Sequence, residues 1–79
     1  DRVEYKAINL STLEELAAKN NLTEVTFETL VQAGFVSSKD KVKILGNGTI
    51  TRALAVKANA FSKTAEAAIV AAGGSVEKL

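Results

Sequence analysis

Cysteine and histidine are both missing from this 79-residue sequence, and so are proline and methionine. Without cysteine there is no disulfide framework and no thiolate metal site. Without histidine the usual general base and the commonest metal ligand are gone. A nucleophile would have to be serine, threonine, lysine or a carboxylate, and no carboxylate has an obvious acid–base partner. Glu14 and Glu15 are sequence neighbours, so on a helix they point in different directions and suit a cap and a solvent face. The remaining acids are scattered rather than clustered as oxygen ligands for a hard cation. The sequence therefore predicts no enzyme, no metal, no cofactor and no small-molecule substrate.

Aromatic residues are scarce as well: Tyr5, Phe27, Phe35 and Phe61. Four are too few for base-stacking platforms of the kind single-strand binders use. No apolar run approaches the roughly 20 residues of a membrane span, so a soluble domain without a membrane partner is expected. The chain opens on charged residues with no signal peptide in view, and the missing methionine predicts a processed product or a fragment of a longer protein. There is no proline- or serine-rich linker and no low-complexity tract, and the length suits one domain.

What the chain has is an apolar share of 47%, much of it alanine, and an uneven charge distribution beneath a net charge of +1. Residues 1–36 set Arg2, Lys6 and Lys19 against Asp1, Glu4, Glu14, Glu15, Glu24 and Glu28, a net −3. Residues 37–63 set Lys39, Lys41, Lys43, Arg52, Lys57 and Lys63 against Asp40 alone, a net +5. Such a basic middle is the footprint of a polyanion contact. It fits a solvated charged surface equally well.

Hydrophobic periodicity and capping signals divide the chain into strands and helices. Glu4 to Asn9 alternates as a strand. Ser11-Thr12-Leu13-Glu14 matches a capping box, which predicts Ser11 as the cap of a helix that Asn20-Asn21 ends. Thr26 caps a second short helix, with Phe27, Leu30 and Val31 inward and Gly34 as its stop. Val42 to Leu45 reads as the most secure strand and Leu54 to Ala58 as another. Ser62 caps an alanine-rich helix that Gly73-Gly74 terminates, and Ser75 to Lys78 returns as a closing strand. Tyr5-Lys6-Ala7 and Val56-Lys57-Ala58 are each followed, at equal distance, by serines 11 and 62, a weak internal repeat of strand-to-helix units.

Gly46-Asn47-Gly48 interrupts the lysine-bearing strand. A Walker loop needs its lysine and hydroxyl directly after the glycines and then a helix, and Thr49-Ile50-Thr51 supplies neither. G-x-G-x-x-G fails too, for want of its third glycine. Asn-Gly is instead a tight-turn signal, because both residues tolerate positive φ. Lys41 and Lys43 are two apart and share one face of their strand, opposite Val42 and Ile44; Lys39 extends that face if the strand starts early. Arg52, Lys57 and Lys63 follow on segments that strand pairing could bring close. Such a group could neutralise phosphates without reading bases, or simply keep a sheet edge soluble.

The ordered series Val42-Lys43-Ile44-Leu45-Gly46-Asn47-Gly48, then Leu54 to Ser62, then Ala65 to Gly74 resembles the C-terminal domain of the bacterial large-subunit ribosomal protein fifteen (L-fifteen) family. Residues 8–16 and 27–36 resemble the first half of that domain, so the similarity covers nearly the whole chain. Members often carry two basic residues where this sequence has Arg52-Ala53, a threonine at Ala55 and a histidine at Asn59, and these departures thin the basic surface. The resemblance implies a small single-domain α/β fold over residues 1–79, an irregular superhelix of strand and helix units with a short mixed sheet packed by helices. It implies a structural constituent of the large subunit in the cytoplasmic ribosome, with 23S ribosomal RNA and neighbouring large-subunit proteins as partners and a part in assembly. It also implies a Gly/Arg-rich N-terminal extension that this chain lacks. The expected RNA-binding residues are Lys39, Lys41, Lys43, Asn47, Gly48, Arg52, Lys57 and Lys63. The other reading is a non-catalytic protein-interaction module docking through an apolar surface, its lysines serving only solubility.

Overall fold

A computed structural model describes residues 4–79. Asp1 and Arg2, counted above in the acidic segment, lie outside the described residues. The elements run β1 (Tyr5–Asn9), α1 (Leu10–Asn20), β2 (Glu24–Val25), α2 (Phe27–Gln32), β3 (Lys41–Leu45), β4 (Ala55–Ala58), β5 (Ala60–Phe61), α3 (Lys63–Ala71) and β6 (Ser75–Lys78).

Successive strands alternate between two three-stranded sheets. One has the order β1-β3-β5 and the other β2-β4-β6, and every pairing is parallel. The chain thus climbs in three turns, each contributing one strand to each sheet. This is the strand-and-helix superhelix of the α/β class that was expected, but with two all-parallel sheets in place of the one short mixed sheet. In the first turn α1 links the two sheets, and in the third α3 does so. In the middle turn a loop, residues 46–54, takes the place of the helix.

Alternation along each strand explains the single core. Val42 and Ile44 of β3, Val25 of β2 and Val56 and Ala58 of β4 are buried, together with Leu13 and Ala17 of α1, Leu30 of α2, Ala65 and Ile69 of α3 and Leu54. These are aliphatic chains without polar atoms, so burial costs no unsatisfied hydrogen bond. The radius of gyration is 11.4 Å, close to the roughly 12 Å of a compact chain this long. No helix among the described residues is long and apolar enough to cross a membrane.

The termini of the helices follow local chemistry. Thr26 and Thr29 form a reciprocal capping box, each hydroxyl accepting the other's backbone N–H at 3.2 Å. The Ser62 hydroxyl accepts the Ala65 N–H at 3.1 Å. Asn21 ends α1 with φ of 53°, and Gly34 and Gly73 follow α2 and α3 with φ of 84° and 90°, the left-handed turn that stops a helix.

Ser11 does not cap α1. Strand β1 passes directly into the helix, whose first residue is Leu10 and whose N-cap is Asn9, without a side-chain capping bond. The burial of Leu10 in the core fixes that earlier start. The sequence repeat is likewise not a structural one: Lys6-Ala7 belongs to the first sheet and Lys57-Ala58 to the second. Asn59 alone separates β4 from β5, at the corner where the chain changes sheets. Its side-chain oxygen accepts the Val42 N–H at 2.7 Å and its own N–H donates to Val42 O at 3.1 Å, holding the lysine-bearing strand to the corner.

Candidate nucleic-acid interface

The parallel register decides which side chains share a face. Tyr5 lies opposite Lys41, Ala7 opposite Lys43 and Asn9 opposite Leu45; on the other side Lys43 lies opposite Ala60. Since Val42 and Ile44 turn into the core, the alternate positions turn outward. The outward face of the first sheet therefore carries Tyr5, Ala7, Asn9, Lys41, Lys43, Leu45 and Ala60. No carboxylate stands among them. Lys41 is exposed and Lys43 half-buried.

The other cations are distributed around this face rather than all upon it. Lys39 is exposed in the preceding turn, where Asp40 accepts the Ser37 N–H at 2.8 Å. Lys63 is the exposed first residue of α3, two positions after β5, at the carboxyl end of the same sheet. Lys57 belongs to the second sheet and pairs with Glu24 on the adjacent strand, Nζ to Oε2 at 3.3 Å. Arg52 is exposed on the loop that replaces the middle helix.

Glu14 holds that loop. Its carboxylate accepts the Thr51 N–H at 3.0 Å through Oε1 and the Thr51 hydroxyl through Oε2. The hydroxyl bond, then the backbone bond, and the nearby Arg52 charge hold the Glu14 carboxyl below the usual carboxylate range against a small desolvation effect. The capping box expected from Ser11 to Glu14 thus has no role for Glu14 at its own helix end. Spacing along α1 gave no sign of a partner 37 residues away.

Gly46-Asn47-Gly48 is not a hairpin turn. A two-residue type I′ turn needs positive φ at both central residues, but of this triplet only Gly48 has it, at 92°. The strands on either side also belong to different sheets. The glycines are there because the loop runs between the first turns of two helices. A Cβ on Gly46 would sit 2.6 Å from Thr64 Cγ2 and 3.2 Å from Ala65 N in α3. One on Gly48 would sit 2.6 Å from Ser11 Cβ and 2.8 Å from Ser11 N in α1. Ser11 N–H donates to Asn47 O at 3.2 Å, and the Asn47 side chain donates to Asn9 Oδ1 at 3.3 Å. Asn47 and Gly48 nevertheless remain exposed on their outer side. No group of three acidic residues among those described is placed to hold a metal ion.

Comparison with known proteins identifies a family for the chain. A family model that groups ribosomal proteins 50S-L15 and 50S-L18e with a 60S-subunit counterpart matches residues 7–77. The chain is 62% identical over 79 residues to large ribosomal subunit protein uL15 of Porphyromonas gingivalis, covering 100% of this chain and 53% of that protein. It is 60% identical over 79 residues to uL15 of Bacteroides thetaiotaomicron, with the same coverage of both. With uL15 of Amoebophilus asiaticus it shares 53% identity over 74 residues, 94% of this chain and 49% of that one. The chain spans about half the length of the curated relatives it matches.

Proposed function

This chain belongs to the family of ribosomal proteins that includes 50S-L15 and 50S-L18e, and from that membership we propose that it is a structural, non-enzymatic part of the large ribosomal subunit. It acts in the cytoplasmic ribosome as the C-terminal globular domain of its protein, beside a Gly/Arg-rich N-terminal extension. Its partner is 23S ribosomal RNA, held mainly through phosphates, and neighbouring large-subunit proteins complete its surroundings during and after assembly.

One observation carries the RNA reading: the outward face of the first sheet bears Lys41 and Lys43 and no carboxylate, in a domain whose net charge is only +1. Lysine ammonium groups two residues apart on a strand match phosphates as point charges, without reading base edges. Lys39 extends the contact before β3 and Lys63 extends it at the carboxyl end of the sheet. The exposed edge of Asn47 and Gly48 brings the loop against the RNA backbone, and Arg52 adds a charge from the part of the loop that Glu14 anchors. Lys57 joins by leaving Glu24, and an exposed pair of that kind is worth about 0–1 kcal/mol.

Filter binding to a 23S ribosomal RNA fragment across a salt series tests this. Each phosphate contact contributes about 0.7–0.9 to the slope of log affinity against log salt. Replacing Lys41 and Lys43 together by alanine is expected to make the slope shallower by about 1.4–1.8, with affinity falling alike for different RNA sequences. An unchanged slope would contradict the assignment.

A further inference from the structure

Tyr5 is the chain's one tyrosine, and it stands 46% exposed on the outward face of the first sheet. Other large apolar residues are exposed too: Phe35 in the turn after α2, Val70 on α3 and Leu79 at the end of the chain. Single exposures of that kind are ordinary. Tyr5 differs in its company. The register sets it directly beside Lys41, with Lys43 one row further on. On its own strand the next residue of that face is Ala7, too small to cover an aromatic ring. Among the described residues no strand flanks it on the other side, because β1 is the edge of the sheet.

An aromatic ring left open on a sheet, with two cations alongside and no carboxylate on that face, has the elements of a nucleotide site. The ring offers its π-face to a base, and the ammonium groups take the phosphates on either side. We infer that Tyr5 stacks on a single unpaired RNA base while Lys41 and Lys43 hold the flanking backbone. This rests on the RNA reading above and narrows it: the RNA must present a loop, bulge or end at this point, because bases inside an A-form helix are already stacked. One ring serves one base, so the scarcity of aromatics that rules out an extended platform does not rule out this contact.

The composition provides a direct probe. With one tyrosine and no tryptophan, tyrosine fluorescence from this chain reports Tyr5 alone. Titration with a short oligoadenylate is expected to quench it saturably, whereas a blunt RNA duplex of equal length is expected to bind through the lysines with little quenching. In filter binding, Tyr5→Ala is expected to weaken oligoadenylate roughly 5- to 140-fold, the equivalent of 1–3 kcal/mol per stacked base, and to leave the duplex unchanged. Tyr5→Phe keeps the ring and is expected to bind like the parent. The circular dichroism of both variants should match the parent, since the side chain lies outside the core. Oligoadenylate binding without quenching would overturn the stack and leave the phosphate reading standing. Equal losses in Tyr5→Phe and Tyr5→Ala would assign the contact to the hydroxyl instead of the ring, and would also overturn it. Binding of neither RNA would count against both readings.

Discussion

Gly74→Ala is expected to cost at least about 3 kcal/mol and to lower the melting temperature by more than about 12 °C. Gly74 follows the end of α3 at the point where the chain enters β6. Its N–H donates to Ile69 O at 2.9 Å, and the next N–H, of Ser75, donates to Leu54 O at 2.9 Å. These bonds press the backbone of Gly74 against the backbone of Leu54. A Cβ there would lie 2.8 Å from Leu54 N and 3.0 Å from Leu54 C, and nearer still to its carbonyl oxygen. A flexible side chain could rotate away from such a methyl group, but a peptide unit entering the central strand of the second sheet cannot. Relief requires moving β6 away from β4, whose register begins at Ala55 opposite Ser75 and runs to Ala58 opposite Lys78. A domain of this length has roughly 4–12 kcal/mol of stability in total, so the loss is a large share of it. Thermal unfolding followed by circular dichroism measures the effect. A loss under about 1 kcal/mol would show that the two backbones are not in this close contact.

Gly48→Ala is expected to cost about 3 kcal/mol or more, clearly above Gly34→Ala, which is expected to cost only about 1–2 kcal/mol. The two positions share the backbone penalty of a left-handed conformation, with φ of 92° and 84°. They differ in surroundings: nothing lies within 4 Å of a Cβ on Gly34, whereas one on Gly48 meets the Cβ and amide nitrogen of Ser11. To make room the loop must withdraw from α1 and give up the Ser11 N–H to Asn47 O bond. The difference between the two variants in chemical denaturation therefore isolates the wedge from the φ preference. Equal losses would mean that the loop is not wedged against the first turn of α1.

These two glycines also show where the sequence was legible and where it was not. Elements defined by local chemistry were readable: the Thr26 and Ser62 caps, the Asn21, Gly34 and Gly73 stops, and the alternation of β3 and β4 each act within a few residues. Strands β2 and β5 have two residues each, too short for a period to register. The alternation of the chain between two parallel sheets depends on pairings such as Tyr5 with Lys41, far apart in sequence. Asn47-Gly48 suggested a tight turn because its signal is local, while the steric reason for the glycines at 46 and 48 lies in residues 64 and 11. Glu14 matched a capping box in spacing, but the early start of α1 at Leu10 left it free to bind Thr51 across the molecule.

The candidate site divides in the same way. That Lys41 and Lys43 share a face follows from the two-residue period of a strand and needs no structure. That Tyr5, Ala7 and Ala60 join them follows only from register. The basic middle segment reads as one cluster in sequence, yet the fold sends Lys57 to the second sheet beside Glu24 and Arg52 to a loop held by Glu14. Charge counted along a chain does not say which charges meet in space.

We expect ribosomal RNA to lie on the outward face of the first sheet. Backbone amide chemical shifts of the labelled chain, followed during titration with a 23S ribosomal RNA fragment, test it most directly. The largest changes are expected at Tyr5, Ala7, Lys41, Lys43 and Ala60, fading towards α2. Changes centred instead on the groove lined by Thr12, Leu16 and Phe35, with the lysine face silent, would contradict it.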